Sequence, residues 1–330
     1  MTLQASLKSE SQPPSYLILG AGVFGASTAL HLIQKHPNAS ITLVDRGIGA
    51  YEAAASWDWQ KVVRAEYEDY FYMSMALEAL DEWRSNDLFK PFFHQSGAVW
   101  MMRNPDYVQT IAENYKKSGR QVSYEIIDPA ELRKRYDGMF AGADLEGVGE
   151  IFDSPTSGWA SAKEALSAAI AEAVKLGVNN VALDVAKLEF DDAGGCIGII
   201  GKNGVKLAAD KILVTSGTFT ATLLADSAPD RKDLQVDDRF VSTGVSTALL
   251  QLDEERQEKF KNAPVFVHNV AETMGKGSIQ SQSSGPVADI KYRGIPACPR
   301  RLHKVQQQHD IQEYNLPCRT RTEHHRATVW

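Results

Sequence analysis

Between residues 16 and 45 the chain reads strand, glycine turn, helix, strand, acid, an order that few folds accept. Tyr16-Leu17-Ile18-Leu19 is a short apolar run of the kind that forms a buried parallel strand. Gly20-Ala21-Gly22-Val23-Phe24-Gly25 then matches G-x-G-x-x-G. From Ala26 the apolar residues take helical spacing through Ala29, Leu30 and Ile33, and stop near His36-Pro37. Ile41-Thr42-Leu43-Val44 is a second strand, closed by Asp45. In such a unit Gly20 allows the tight turn, Gly22 lets the backbone approach a pyrophosphate, and Gly25 lets helix and strand pack closely. The helix N-terminus supplies unpaired N–H groups and a positive dipole end for the phosphates. Asp45 stands where its carboxylate accepts hydrogen bonds from ribose hydroxyls. The segment therefore reads as an adenine-dinucleotide unit. Asp45 favours a free 2′-hydroxyl, and Arg46 beside it leaves room for NADP. The motif alone does not separate FAD from NAD.

The same region could pass for a membrane span, because Ser15 to Ile33 contains no Asp, Glu, Lys or Arg. Its flanks argue otherwise. Lys8-Ser9-Glu10 is no positive leader, and Pro13-Pro14 would break a helix start. The charge of −7 is uneven: residues 291–330 hold eight Lys/Arg against three Asp/Glu, which leaves an acidic body. Such a body does not suit nucleic acid as the main partner. Three cysteines, Cys196, Cys298 and Cys318, make no disulfide framework and suit a reducing compartment.

After Asp45 comes Gly47-Ile48-Gly49-Ala50, then Ala53-Ala54-Ala55-Ser56-Trp57-Asp58-Trp59-Gln60-Lys61-Val62-Val63-Arg64. A helix follows, with its apolar face set at Tyr72, Met75, Ala76, Ala79, Leu80 and Trp83. By pattern alone the loop is either a surface loop with solvated Lys61 and Arg64, or part of a site. Further on, Ala98–Met102 is a strand. Asn104-Pro105 starts a helix ending at Gly119. Val122, Tyr124 and Ile126 alternate as in a half-buried strand, and Asp128-Pro129-Ala130-Glu131 reads as a capping box. Gly158-Trp159 opens a helix closed by Gly177. Asn180–Val185 is a strand, Lys187–Phe190 and Ile197–Ile200 form a hairpin, and Lys211–Gly217 is a strand ending in small residues.

The run from Gly20 to Leu32 resembles the FAD-binding start of the D-amino-acid oxidase superfamily. Ser56–Arg64 resembles the corresponding loop of its sarcosine, saccharopine and fructosyl-amino-acid oxidase branch, fungal saccharopine- or pipecolate-oxidase-like members above all. The segments Asn180–Val185 and Lys211–Gly217 continue the match. The resemblance implies FAD rather than NAD. It places Gly20, Gly22, Val23, Phe24, Gly25, Asp45, Arg46, Ser56, Lys61, Val185, Ser216 and Gly217 on the cofactor, with Lys61 near the flavin ring and Val185 near the adenine. It implies Lys61 and Arg64 as the catalytic pair, Arg64 near a substrate carboxylate. No metal is implied. The fold expected is α/β, a Rossmann-like FAD-binding domain (1–95 and 151–227) with a second, sheet-based substrate domain (96–150 and 228–275).

Past Lys276 the resemblance stops. Residues 276–330 read as an atypical tail whose composition favours disorder, with three readings open: a divergent end, a product of altered splicing or frame, or a basic interaction arm; neither Cys298 nor Cys318 stands in a motif for covalent flavin. The family's oxygen-activating lysine has no identifiable counterpart. Cys298, His303, His309 and Cys318 fit no zinc spacing, and His94 and His268 are weak catalytic candidates. The function implied is oxidation of a C–N bond in a secondary amine on an amino-acid-like substrate, giving an imine and hydrogen peroxide. A catalytically inactive truncated relative is the alternative, and a nicotinamide dehydrogenase the third reading. The partners expected are a small amine or N-substituted amino acid and oxygen, with no nucleic acid and no membrane. The location expected is intracellular, cytoplasmic or peroxisomal, without a recognisable targeting signal; Thr328-Val329-Trp330 is no peroxisomal ending.

Overall fold

The computed structural model describes residues 13–51, 54–102, 105–236, 239–240, 242, 251–269 and 280–281. Along the chain β1 (Tyr16–Leu19), α1 (Val23–Lys35) and β2 (Ile41–Asp45) come first. Next are β3 (Lys61–Val63), α2 (Tyr70–Ser85), β4 (Phe93–His94), β5 (Ala98–Met102) and α3 (Pro105–Ser118). Then follow β6 (Glu125–Ile127), α4 (Pro129–Leu132), β7 (Glu150–Ser154), β8 (Gly158–Ala160) and α5 (Ala162–Lys175). β9 (Asn179–Ala182), β10 (Val185–Phe190), β11 (Cys196–Gly201), β12 (Lys206–Ala208) and β13 (Lys211–Val214) form a run of strands. The last elements described are α6 (Thr220–Ser227), α7 (Glu254–Phe260), β14 (Val265–Asn269) and β15 (Gln280–Ser281).

Four parallel strands in the order β13-β1-β2-β9 make the first sheet. β1 lies inside it and is buried on both faces, which is why its sequence is apolar without alternation. Ile18, Ile41 and Leu43 point to one face, where Ala26, Ala29, Leu30 and Ile33 of α1 and Leu166, Ala169, Ile170 and Ala173 of α5 cover them. Leu17, Leu19 and Val44 point to the other, against Leu188 and Ile199 of the antiparallel meander β10-β11-β12. The result is three layers: helices, parallel sheet, meander.

A second sheet runs β15-β14-β5-β7-β6. Ala98, Trp100 and Phe152 on one face pack with Met73, Leu77 and Leu80 of α2 and Ile111 and Tyr115 of α3. Val99, Met101 and Ile151 on the other pack with Leu132, Phe140 and Leu145. A small sheet, β3-β8-β4, holds Lys61 opposite Ala160 and Phe93 opposite the same residue.

Several local expectations are corrected. Gly158-Trp159 is strand rather than helix, because β8 is paired on both sides, and the helix begins only at Ala162 after Ser161. The strand expected over Asn180–Val185 ends at Ala182, and Val185 opens β10 instead. Of Val122–Ile126 only residues 125 and 126 are in β6, and the phase is reversed: Ile127 is buried while Ile126 and Val122 are exposed. On α2 the buried stripe is Met73, Leu77 and Leu80; Tyr72 and Met75 face outward. The capping box is half formed. The Asp128 carboxylate accepts from Glu131 N at 2.8 Å, but the Glu131 side chain turns to Arg135. Asn104, Cys298, His303, His309, Cys318 and nearly all of 276–330 lie outside the described residues. Among the described residues no helix is long and apolar enough to cross a membrane.

Arg135 ties the second sheet together. It donates to Asp153 on β7 and to Glu125 on β6, both at 2.6 Å, and to Glu131 at 3.3 Å. Asp153 is buried and also accepts the Tyr136 hydroxyl at 2.5 Å. Burial and the Asp153 carboxylate push the Tyr136 phenol well above its usual range. Arg135→Gln should cost about 2 kcal/mol, because it leaves a buried carboxylate without its cation, discounted for the partial exposure of the arginine. Thermal unfolding should show the midpoint falling by roughly 4–8 °C. The exposed Arg133→Gln, which loses one bond of 3.5 Å, is the matched control and should shift little.

Candidate functional site

β1, β2 and β13 run parallel, so their carboxyl ends at Leu19, Asp45 and Val214 share one edge. The chain crosses from β1 to β2 on one side and returns to β13 on the other, which opens a crevice beyond β1. Gly20 turns the chain there with φ +107°, and a β-carbon on it would lie 2.4 Å from the Thr215 carbonyl oxygen. A β-carbon on Gly25 would lie 1.7 Å from the Gly20 carbonyl oxygen. Gly22 caps α1 in an extended conformation with no side-chain cap bond, and the first turn holds no acid. Val23 and Phe24 are 60% and 65% exposed, so the N–H end of α1 faces open space.

Asp45 has two tasks. Its Oδ2 accepts from Ala21 N and its Oδ1 from Arg46 N, both at 2.7 Å. The carboxylate thus holds the glycine turn in place, and each oxygen keeps a lone pair for a further donor. The Arg46 guanidinium lies over Phe219 at 4.0 Å and Tyr51 at 5.0 Å. Ser56 faces the turn, with its hydroxyl 3.4 Å from where a β-carbon on Gly22 would sit. Ser216 and Gly217 follow Thr215 just past β13, and Ser216 Oγ meets Thr220 Oγ1 at 2.9 Å. Val185 lies three residues past the end of β9, and Leu183, just after that strand, donates its N–H to the Asp45 carbonyl at 2.7 Å. The fold therefore gathers Gly20, Gly22, Gly25, Asp45, Arg46, Ser56, Ser216 and Gly217 around one crevice. Thr215 was missed by sequence reasoning. Its hydroxyl donates within reach of both the Leu19 and Gly20 carbonyls, at 3.0 and 2.9 Å, and locks the turn.

The crevice suits a dinucleotide on its own geometry. Where a side chain would fill it there is a glycine, its floor is a row of N–H groups, and its rim carries an acid with spare lone pairs.

Lys61 and Arg64 sit at and just past β3. Lys61 pairs with Asp58 at 2.9 Å near the surface. Arg64 is half-buried. Its Nη1 donates to the Glu66 carbonyl and to the Tyr107 hydroxyl, the latter at 3.1 Å. Its guanidinium lies 4.2 Å over the Tyr67 ring and 5.6 Å from that of Trp100. Burial pushes the Tyr107 phenol up to about 12, against the opposing pull of Arg64. Every hydrogen bond of Arg64 among the described residues runs through Nη1, which leaves Nη2 and Nε for a ligand.

Glu66, also missed by sequence reasoning, is 1% exposed. Its carboxylate accepts from Ser154 Oγ at 2.9 Å, Ser157 Oγ and Tyr115 OH at 3.2 Å, Ser123 Oγ at 3.3 Å and Ala65 N at 3.2 Å. Burial and this charge together raise the Tyr115 phenol far above its usual range. His94 stacks on Trp159 at 3.8 Å, and its Nε2 lies 3.4 Å from Ser161 Oγ, an exposed arrangement. His268 is on β14 opposite Met101. Two open hollows, about 410 and 200 Å³, lie elsewhere: one by Tyr136 and Lys259, the other by Arg84 and Arg120.

A family model described as FAD-dependent oxidoreductase matches residues 15–279. The chain is 25% identical over 265 residues to L-saccharopine oxidase of Schizosaccharomyces pombe, covering 76% of this chain and 59% of that protein. It is 26% identical over 302 residues to amino acid oxidase fsqB of Aspergillus fumigatus, covering 78% and 58%. A thermally stable mutant of fructosyl peptide oxidase superposes with TM-score 0.61 at 23% identity, over 77% of this chain and 59% of that one. The fructosamine oxidase Amadoriase II of Aspergillus fumigatus gives 0.61 at 22% identity, over 78% and 59%. The chain thus spans about three-fifths of the length of these relatives, and the structural likeness shows the fold.

Proposed function

Because the chain belongs to the FAD-dependent oxidoreductase family, we propose that it oxidises the C–N bond of a secondary amine on an amino-acid-like substrate. FAD, when bound, would supply the redox chemistry: a hydride acceptor for the carbon beside the nitrogen and a route for the two electrons to oxygen as hydrogen peroxide, with the imine left to hydrolyse. The observation that carries this reading is Arg64, held by one nitrogen with two others unspent. Such a fork suits a substrate carboxylate. The names of the relatives, saccharopine oxidase and amino acid oxidase, support an amino-acid-like substrate.

The residues then divide by task. The N–H groups at Val23, Phe24 and Gly25 hold the pyrophosphate, with Gly20 and Gly22 giving it room. Asp45 takes the ribose hydroxyls, Arg46 and the Val185 backbone border the adenosine end, and Ser56, Ser216 and Gly217 line the crevice. Lys61 serves as the cation beside the flavin ring; its exposed Asp58 pair is worth only about 0–1 kcal/mol, so the ammonium turns inward at little cost. Arg64 anchors the carboxylate and so fixes which carbon faces the cofactor. An electron-rich C–N bond needs a neutral amine, so the site should favour deprotonated substrate. The three-layer unit and the second sheet support a division into a cofactor domain and a substrate domain.

Purified protein, with and without added FAD, should show the two flavin bands in the near-ultraviolet and blue. Secondary amino acids should then release peroxide. A folded protein that stays colourless and takes up no FAD would defeat this reading and leave the non-catalytic relative. Flavin bands without peroxide from any secondary amino acid would keep the cofactor and defeat the reaction.

A further inference from the structure

Glu66 is an anion buried away from water with no cation against its carboxylate among the described residues. A buried charge is retained only when donors surround it, and here four hydroxyls and one N–H do so. The donors come from far apart in the chain. Tyr115 and Ser123 flank the end of α3, Ser154 ends β7, and Ser157 lies in the turn before β8. The carboxylate therefore joins α3, β7 of the second sheet and the turn leading into β8 of the small sheet.

The backbone of the same residue faces Arg64. The Glu66 carbonyl accepts from Arg64 Nη1 and also from the Tyr107 hydroxyl at 2.9 Å, while that hydroxyl accepts from Nη1 at 3.1 Å. Arg64, Tyr107 and the Glu66 carbonyl close a three-membered ring of hydrogen bonds. The clamped side chain anchors the residue that carries this carbonyl, and the two bonds the carbonyl accepts hold its direction. With the carbonyl fixed and Tyr107 seated on it, Nη1 has one place to be. Tyr67 and Trp100 lie against the guanidinium, 4.2 and 5.6 Å from its central carbon. A carboxylate that merely stitched loops together would need none of this alignment with Arg64.

We propose that Glu66, acting through its own carbonyl and Tyr107, is the positioning residue that aims Arg64 at the substrate carboxylate. This rests on the role given to Arg64 above. Glu66 touches neither substrate nor cofactor; it removes the rotamer freedom that the arginine would otherwise lose on binding.

The test uses FAD-loaded full-length protein titrated by calorimetry with cyclohexanecarboxylate and, as its uncharged match, cyclohexanecarboxamide. Neither has an amine, so neither turns over. The preference for the acid over the amide is the readout, and FAD affinity is measured beside it. If the parent protein shows no preference, or Arg64→Gln keeps it, the role of Arg64 itself fails and this proposal with it. If Arg64→Gln removes the preference, Glu66→Gln should lower it about tenfold, the scale of one misplaced charged hydrogen bond, with amide and FAD binding within about twofold of the parent. A preference unchanged in Glu66→Gln, or an equal loss for both probes, overturns the proposal while leaving Arg64 in place. Should Glu66→Gln not fold, Tyr107→Phe decides, because it breaks the ring without touching the buried carboxylate. It should lower the preference about threefold, and an unchanged preference overturns the proposal.

Discussion

Gly25→Ala should weaken FAD binding by about a hundredfold or more. Its added methyl would sit 1.7 Å from the Gly20 carbonyl oxygen, a contact that only backbone movement relieves. Over-packing typically costs about 1–3 kcal/mol where side chains can yield, and here the obstacle is the turn itself. A cost of about 3 kcal/mol falls on the state that holds the pyrophosphate, which is where the hundredfold arises. Moving Gly20 also strains its bonds to Val44 and Thr215 and lifts Ala21 from Asp45. Titration of the purified variant with FAD, followed by flavin fluorescence, measures the loss, and thermal unfolding measures the damage to the fold. Gly22→Ala separates the two. A β-carbon there meets only Ser56 Oγ, at an ordinary 3.4 Å, so the fold should keep its unfolding midpoint. FAD affinity should still fall about tenfold, because the methyl occupies the space in front of the helix. An unchanged affinity in Gly22→Ala would remove the crevice as the pyrophosphate site.

Arg64→Gln should lower kcat/KM for secondary amino acids by about 100- to 1000-fold. Two charge-assisted bonds to a carboxylate account for roughly 3–4 kcal/mol of binding that the reacting complex needs. The loss should appear in kcat as well as KM, since an unanchored substrate no longer holds its carbon against the cofactor. Uncharged secondary amines never used the fork and should lose far less. Arg64→Lys should fall between, because an ammonium supplies charge without the planar fork. Steady-state peroxide release with paired acid and amide substrates is the measurement. Equal losses on both members of the pair would move the carboxylate anchor away from Arg64.

The nucleotide unit was legible because every part of it is local. The turn, the helix start and the terminal acid lie within thirty residues of one another, and each residue type is demanded by a backbone event in its own neighbourhood. The strand Ala98–Met102 and the C-terminal ends of α3 and α5 were legible for the same reason. Where local pattern allowed two answers, packing chose. On α2 two apolar stripes compete, and the second sheet took Met73, Leu77 and Leu80 while Tyr72 and Met75 stayed outside. At Gly158-Trp159 a helix-like spacing yielded to pairing with β3 and β4, strands that nothing in the immediate sequence announces.

From the sequence alone came the dinucleotide turn, the acid at the end of β2, the family and the loop that carries Lys61 and Arg64. Only the tertiary structure decided that Asp45 also braces the turn, that Thr215 locks it from 195 residues away, and that Glu66 is buried. It alone showed Glu66 meeting serines 88 and 91 residues further on. The reason is physical. Periodicity and turn chemistry record what a segment does with its own backbone, whereas the partner of a polar side chain is supplied by whichever distant segment folding brings against it. A single chain of letters marks the first and carries no trace of the second.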